Sequence, residues 1–183
     1  MYPLQAGSRN RLSIQRHPLS LLRTPHTRQG KTRSCEAGKN RMIITTARKP
    51  SSKTRTFCKH LGRFTGWEYI TRGKTSREEL SDEPFLLIGE YKGNPGSLSF
   101  FLNGISVLSM HVSVSMDKEI HSGKTPVIEG DSPLAVVFGK VTDLKTGEVG
   151  ERFIRINDRI EFIDNRVSYI VLKLISVRGE GVA

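Results

Sequence analysis

The sequence predicts an α+β fold whose second half is rich in strands, and three observations carry that expectation. Between Lys53 and Phe64, the residues Phe57, Leu61 and Phe64 fall in one narrow sector of a helical wheel. Between Leu108 and Met116, the apolar residues Leu108, Met110, Val112, Val114 and Met116 alternate with Ser109, His111, Ser113 and Ser115. That period of two marks a half-buried strand. Several further short apolar runs are bounded by Gly, Pro, Asn and Asp, as strands are.

In chain order, Ile43–Thr46 reads as a short strand that Arg48-Lys49-Pro50 interrupts. Ser51 or Ser52 can then cap a helix over about 53–64. Trp67–Thr71 reads as a strand ending in Arg72-Gly73-Lys74, and Ser76–Leu80 as a short helical segment. Pro84–Tyr91 is strand-like and leads into a loop, Lys92-Gly93-Asn94-Pro95-Gly96, followed by a short run over Leu98–Leu102. After the alternating strand, Lys118–Asp131 is polar and loop-like, and Leu134–Gly139 reads as a buried strand. Glu151–Ile156 and Arg159–Asp164 read as paired strands about Asn157-Asp158, and Tyr169–Val177, apolar on both faces, as a central strand.

The charge is distributed unevenly along the 183 residues, which carry a net +11. Residues 1–41 hold +8, residues 48–77 another +8 with Glu68 as the one acid, and residues 78–183 hold −5. Solubility alone does not need such a division, whereas a polyanionic partner explains it. The first 41 residues, rich in Arg, Ser, Thr, Gly and Pro, show no sustained period. Three readings stay open for them: upstream sequence before a start at Met42, a disordered basic arm, or a transit peptide. No window approaches the 18 apolar residues of a membrane-spanning helix. Two cysteines, Cys35 and Cys58, exclude a disulfide framework and a four-thiolate metal site.

Motifs for catalysis are weak. Gly-Lys-Thr occurs at 30–32, 73–75 and 123–125, but a phosphate loop needs another glycine five positions earlier, where Pro25, Glu68 and Lys118 stand. His17, His26, His60, His111 and His121 have no partner at a metal-ligand spacing. His111 falls on the polar face of its strand and Cys58 on the apolar side of its helix, which makes them a surface and a core residue. Asp158, Glu161 and Asp164 crowd one hairpin, and alternation on an exposed strand face accounts for them more simply than paired-carboxylate hydrolysis. No catalytic residue, metal ligand or cofactor is nominated.

The stretch 48–77 is the strongest signal. Arg55, Lys59 and Arg63 recur every four residues, opposite the apolar sector, and Arg and Lys neutralise phosphates. The helix start after Pro50 offers free N–H groups and a positive dipole end to an anion. A solvated helix face explains the stripe but not the flanking clusters Arg48-Lys49 and Arg72-Gly73-Lys74. A membrane surface fits less well, because the helix has only enough apolar residues to seat on a sheet.

Ile43-Ile44-Thr45-Thr46-Ala47-Arg48-Lys49-Pro50-Ser51, the basic helix and Arg72-Gly73-Lys74 resemble the opening of the Brix-domain family. Gly89-Glu90-Tyr91-Lys92-Gly93-Asn94-Pro95-Gly96-Ser97 and Arg159-Ile160-Glu161-Phe162-Ile163-Asp164-Asn165 are similar to its compact archaeal members. The resemblance spans residues 42–178. Ala47 stands where the family commonly has serine and Thr71 where it often has asparagine, and the span Thr75–Pro84 is shorter than usual. The resemblance implies two similar α/β halves, about 42–97 and 98–178, each like the anticodon-binding domain of class II aminoacyl-tRNA synthetases, with 179–183 as a tail. No internal sequence repeat marks those halves.

The resemblance further implies a non-catalytic, cytoplasmic ribosome-biogenesis factor acting in pre-rRNA processing or subunit assembly. Its partners would be ribosomal RNA or its precursor and other assembly proteins, with no membrane and no small-molecule substrate. Arg48, Lys49, Lys53, Arg55, Lys59, Arg63, Arg72, Lys74 and Lys92 are the expected RNA contacts. Three competing readings remain: a tRNA-binding accessory module, a metal-dependent RNA hydrolase using the acidic second half, and a protein-binding scaffold.

Overall fold

The computed structural model describes residues 42–73, 78–80, 82–116, 119–147 and 150–182. The readings of residues 1–41, of Lys74 and of the first two residues of Ser76–Leu80 lie outside those residues. The elements are β1 (Ile43–Thr46), α1 (Ser52–Thr65), β2 (Glu68–Tyr69), β3 (Phe85–Tyr91), β4 (Asn94–Leu102), β5 (Ile105–Met116), β6 (Val127–Glu129), α2 (Pro133–Thr142), β7 (Arg152–Ile156), β8 (Arg159–Asp164) and β9 (Val167–Gly179). A single 3-10 turn, Glu78–Leu80, precedes β3. The fold is mixed α+β and dominated by its sheet.

Among the described residues the strands form one nine-stranded sheet in the order β2-β1-β3-β4-β5-β9-β8-β7-β6. Its centre is the long antiparallel pair β5–β9. Moving outward, each side repeats the same steps. Antiparallel β4 and β3 on one side match antiparallel β8 and β7 on the other. Parallel β1 matches parallel β6. Beyond them, β2 pairs with Ile44 through Tyr69, and a parallel bridge joins Ile128 to Thr146.

A short repeat in the sequence does accompany this, contrary to expectation. Leu61-Gly62-Arg63-Phe64-Thr65 ends α1 and Phe138-Gly139-Lys140-Val141-Thr142 ends α2. In each, the final threonine donates its hydroxyl to the carbonyl four residues back, at 2.8 and 2.6 Å. Each helix then stops on a left-handed residue, Gly66 or Asp143, ahead of a buried Trp67 or Leu144. At Gly62 the chain returns close by, and a Cβ there would lie 2.8 Å from the Trp67 carbonyl oxygen. Residues 97 and 98 both lie inside β4.

Both helices cover the same face of the sheet. Ile44, Leu86, Phe100, Met110, Phe162 and Leu172 face them in the main core, with Phe57, Leu61 and Phe64 from α1 and Leu134 and Phe138 from α2. Phe64 packs edge-on against Phe162 of β8 and Phe138 against Phe100 of β4. Each helix therefore seats an aromatic ring in the far side of the sheet, and the core is continuous. On the opposite face, Ile43, Phe85 and Phe101 form a small second cluster.

Four expectations need correcting. Leu134–Gly139 is helical, because Ser132 caps it through the Ala135 N–H and Pro133 occupies its first turn. A short apolar run cannot by period alone distinguish a buried strand from a buried helix. The expected loop 118–131 contains β6. The loop 92–96 shrinks to the two-residue turn Lys92-Gly93, and Asn94 already pairs with Tyr91. Central β9 is not buried on both faces: Lys173, Ile175, Ser176 and Arg178 are exposed.

Candidate nucleic-acid interface

Helix α1 starts at Ser51, whose hydroxyl accepts from the Thr54 N–H at 3.2 Å. Its buried side contains Thr54, Phe57, Cys58, Leu61, Phe64 and Thr65. This seating turns Arg55, Lys59 and Arg63 outward, and all three are exposed. At 1.5 Å per residue, Arg55 and Arg63 lie about 12 Å apart along the axis.

The β3–β4 turn is fastened to the start of this helix. Ser51 Oγ donates to the Gly93 carbonyl at 2.9 Å, and Lys53 Nζ donates to Asn94 Oδ1 at 3.2 Å. Lys92 therefore joins the helix start, beside Arg48 and Lys49 in the exposed turn after β1. Arg55 is steadied by donating its Nε–H to the Pro50 carbonyl at 3.1 Å. Arg48, Lys49, Lys53, Arg55, Lys59, Arg63 and Lys92 are thus all exposed, on α1 and on the turns at its start, and make up the cationic band. Arg72 departs from it: it is half-buried, has interactions of its own, and follows Ile70, which packs in the cluster on the helix-free face.

The expected anion site at the helix start is already filled. The Ser51 N–H donates to Glu90 Oε1 at 2.7 Å. The polar groups of Ser51 and Thr54 around its carboxylate, with help from Arg55, hold Glu90 below the usual carboxylate range. At the other end of the band, Arg63 meets Glu119 at 3.5 Å, with both side chains well exposed. Such a pair contributes about 0–1 kcal/mol and releases readily to a phosphate. The sequence placed Glu90 and Glu119 far from the basic stretch, so neither was weighed against it. Burial, and then Arg63, lower the pKa of His60, which adds little charge at neutral pH.

Two of the hairpin carboxylates, Asp164 and Glu161, are engaged elsewhere. Asp164 accepts two bonds from Arg152, whose side chain is 8% exposed and also donates to the His121 carbonyl at 3.0 Å. The same guanidinium lies 5.0 Å over the Phe64 ring, binding the end of α1 to β7. Glu161 pairs with Arg159 at 3.2 Å. Among the described residues, no three His, Cys, Asp or Glu side chains are placed to hold a metal ion. Cys58 is fully buried, and burial pushes its thiol up to about 12, which removes it as a nucleophile at neutral pH.

Sequence reasoning passed over the helix-free face. Ser97, Ser99, Ser109, Ser113 and Ser115 lie on it, Ser109 bonding Ser99 at 2.8 Å, and His111 Nδ1 lies 3.0 Å from Ser176 Oγ. Lys173 stands on this face between Ser113 and Arg159. The polar half of the β5 alternation was the signal for it. Among the described residues, no helix is long and apolar enough to cross a membrane.

No family model matches the chain. It is 36% identical over 124 residues to a probable Brix domain-containing ribosomal biogenesis protein of Archaeoglobus fulgidus, covering 66% of this chain and 77% of that one. To a protein of the same description from Methanococcoides burtonii it is 32% identical over 146 residues, covering 72% and 94%. Among solved structures, an archaeal Imp4-like protein superposes with a TM-score of 0.66 at 27% identity, covering 75% of this chain and 99% of that one. A probable ribosomal biogenesis protein from Aeropyrum pernix gives 0.60 at 25% identity, covering 73% and 94%.

Proposed function

The chain belongs to the Brix-domain family of ribosome-biogenesis proteins, and from that premise we propose that it serves ribosome assembly by holding ribosomal RNA, or its precursor, on the cationic band around α1. One observation carries the reading. Seven exposed cations lie on α1, on the turn before it and on the β3–β4 turn fastened to its start, and among the described residues Glu90, held by hydrogen bonds, and Glu119, in a solvent-exposed pair, are the acids seen to meet that set. Phosphate contacts of this kind fix position without reading sequence, which suits a factor that holds RNA for others to act on.

The protein works without catalysis in this reading, which the pairing of Asp164 with Arg152 and of Glu161 with Arg159 supports. Its partners in this reading are ribosomal RNA and other assembly proteins, and it works in the cytoplasm, which the archaeal source of its relatives supports. Setting β2 aside, the β-α-β-β-β order of residues 43–116 recurs in 127–179, which supports two similar halves, each built like an anticodon-binding domain. Crosslinking in cells followed by sequencing of the bound RNA tests the reading. Reads concentrated on ribosomal RNA precursors are expected. Reads concentrated on tRNA, or none above background, would overturn it.

A further inference from the structure

A groove of about 760 Å³ runs between the first turns of α1, the β3–β4 turn and the outer end of β5. Lys53 and Lys92 line it with Tyr91, Val112, Met116 and Ile175, and no Asp or Glu is among the described residues that line it. Tyr91 is 68% exposed and Ile175 70% exposed. Large apolar side chains this open, set together in one concavity, mark a binding surface better than chance exposure does.

The local backbone is shaped to present both residues. The β5–β9 register passes from His111 opposite Ser176 to Val112 opposite Leu174, which leaves Ile175 as the extra residue of a bulge. A bulge re-aims a side chain in this way. Tyr91 lies over Gly96, where a Cβ would come within 2.8 Å of the Tyr91 Cβ and 3.2 Å of its backbone nitrogen. Glycine at 96 is what lets Tyr91 stay there. Lys92 Nζ stands 5.4 Å from the tyrosine ring centroid, and the bonds of Ser51 and Lys53 to the turn hold the wall in place.

An exposed aromatic ring, two cations and no carboxylate make a surface for a flat, apolar group attached to an anion. A nucleotide is both, and its base is offered to a protein only where the strand is unpaired. We propose that this groove holds one unpaired nucleotide of the bound RNA, its base against Tyr91 and Ile175 and its phosphate against Lys53 and Lys92. The inference rests on the RNA-binding reading above and narrows it to RNA with a single-stranded element beside the band.

The test uses the full chain, whose native tryptophan, Trp67, is buried. In Tyr91→Trp the added indole reports on the groove. A single-stranded oligoribonucleotide should quench it, and a blunt RNA duplex of equal length should not. Tyr91→Ala should weaken single-strand binding roughly 5- to 150-fold and leave duplex binding within about twofold, while Tyr91→Phe keeps the wild-type affinity. If the wild-type chain binds both RNAs and Tyr91→Ala changes neither, or weakens both equally, this inference fails and the RNA-binding reading stands. If the wild-type chain binds neither RNA, the reading itself fails. Quenching by an acidic apolar peptide and not by RNA would assign the groove to a protein partner and overturn the inference.

Discussion

Replacing Lys92 by asparagine should make the protein more stable and a weaker RNA binder at once. Three hairpins turn through two residues with positive φ at both: Lys92 (51°) and Gly93 (75°), Asn103 (50°) and Gly104 (75°), Asn165 (50°) and Arg166 (66°). Flanking pairs Tyr91–Asn94, Leu102–Ile105 and Asp164–Val167 close them. Turns of this type favour Asn-Gly, which the second has and the first lacks. A left-handed conformation costs an ordinary residue about 1 kcal/mol that asparagine largely escapes. The exposed contact of Lys92 with the Tyr91 ring returns about 0.5 kcal/mol. The net gain for Lys92→Asn is then about 0.5 kcal/mol, a rise of about 1–2 °C in melting temperature for a domain of this size. The same change removes one phosphate contact, so the slope of log affinity against log salt should shrink by about 0.7–0.9. Thermal melts by circular dichroism and RNA titrations at several salt concentrations measure the two effects. A lowered melting temperature would refute the turn argument. An unchanged salt slope would remove Lys92 from the interface.

The remaining predictions concern the band, the acid at its end and the shared core. Changing Arg55, Lys59 and Arg63 together to glutamate should reduce the salt slope by about 2–3 and leave the far-ultraviolet spectrum unchanged, because the three side chains oppose the buried face. Glu90 is held below its ordinary range in the folded state, so its contribution is present above the unfolded pKa and lost as pH falls through the folded one. Melts of wild type and Glu90→Gln should therefore differ at pH 7 and converge in acid; a constant difference would contradict this. Removing Arg152, as in Arg152→Ala, strands the Asp164 carboxylate and should cost roughly 3–5 kcal/mol in denaturant unfolding. Because Phe64 and Phe138 each seat in the far side of the sheet, chains 42–116 and 127–182 made separately should show no cooperative melt. Two independent sharp transitions would refute the shared core.

The sequence made some of this legible because local physics decided it. Ser51 caps α1, Phe57, Leu61 and Phe64 face the core, and the β5 alternation holds from Leu108 to Met116, since each rests on a period or a cap that near neighbours enforce. The β7–β8 pair about Asn157-Asp158 was equally local. Helix α2 was lost because its apolar content is nearly continuous, which hides its period, although Ser132-Pro133 marked its start. The repeat was lost because only five residues at each helix end carry it, 77 positions apart.

For the interface, sequence counting found the cations but not what the fold brings to them. Glu90 arrives through the β3–β4 hairpin and Glu119 through the loop after β5. Lys92 lies outside the basic stretch 48–77, and its place beside Ser51 depends on a hydrogen bond across 42 positions of chain. Arg72 differs from the other cations in being half-buried and in having an interaction of its own.

The most direct test of the cationic band is a salt titration of RNA affinity with the full chain and with a variant carrying glutamine at Arg48, Lys49, Lys53, Arg55, Lys59, Arg63 and Lys92. Residues 1–41 remain in both proteins, so their charge cancels in the comparison. If all seven cations meet phosphate, the two slopes differ by roughly 5–6. Equal slopes in the two proteins would contradict the account and leave the RNA, if it binds at all, to other residues.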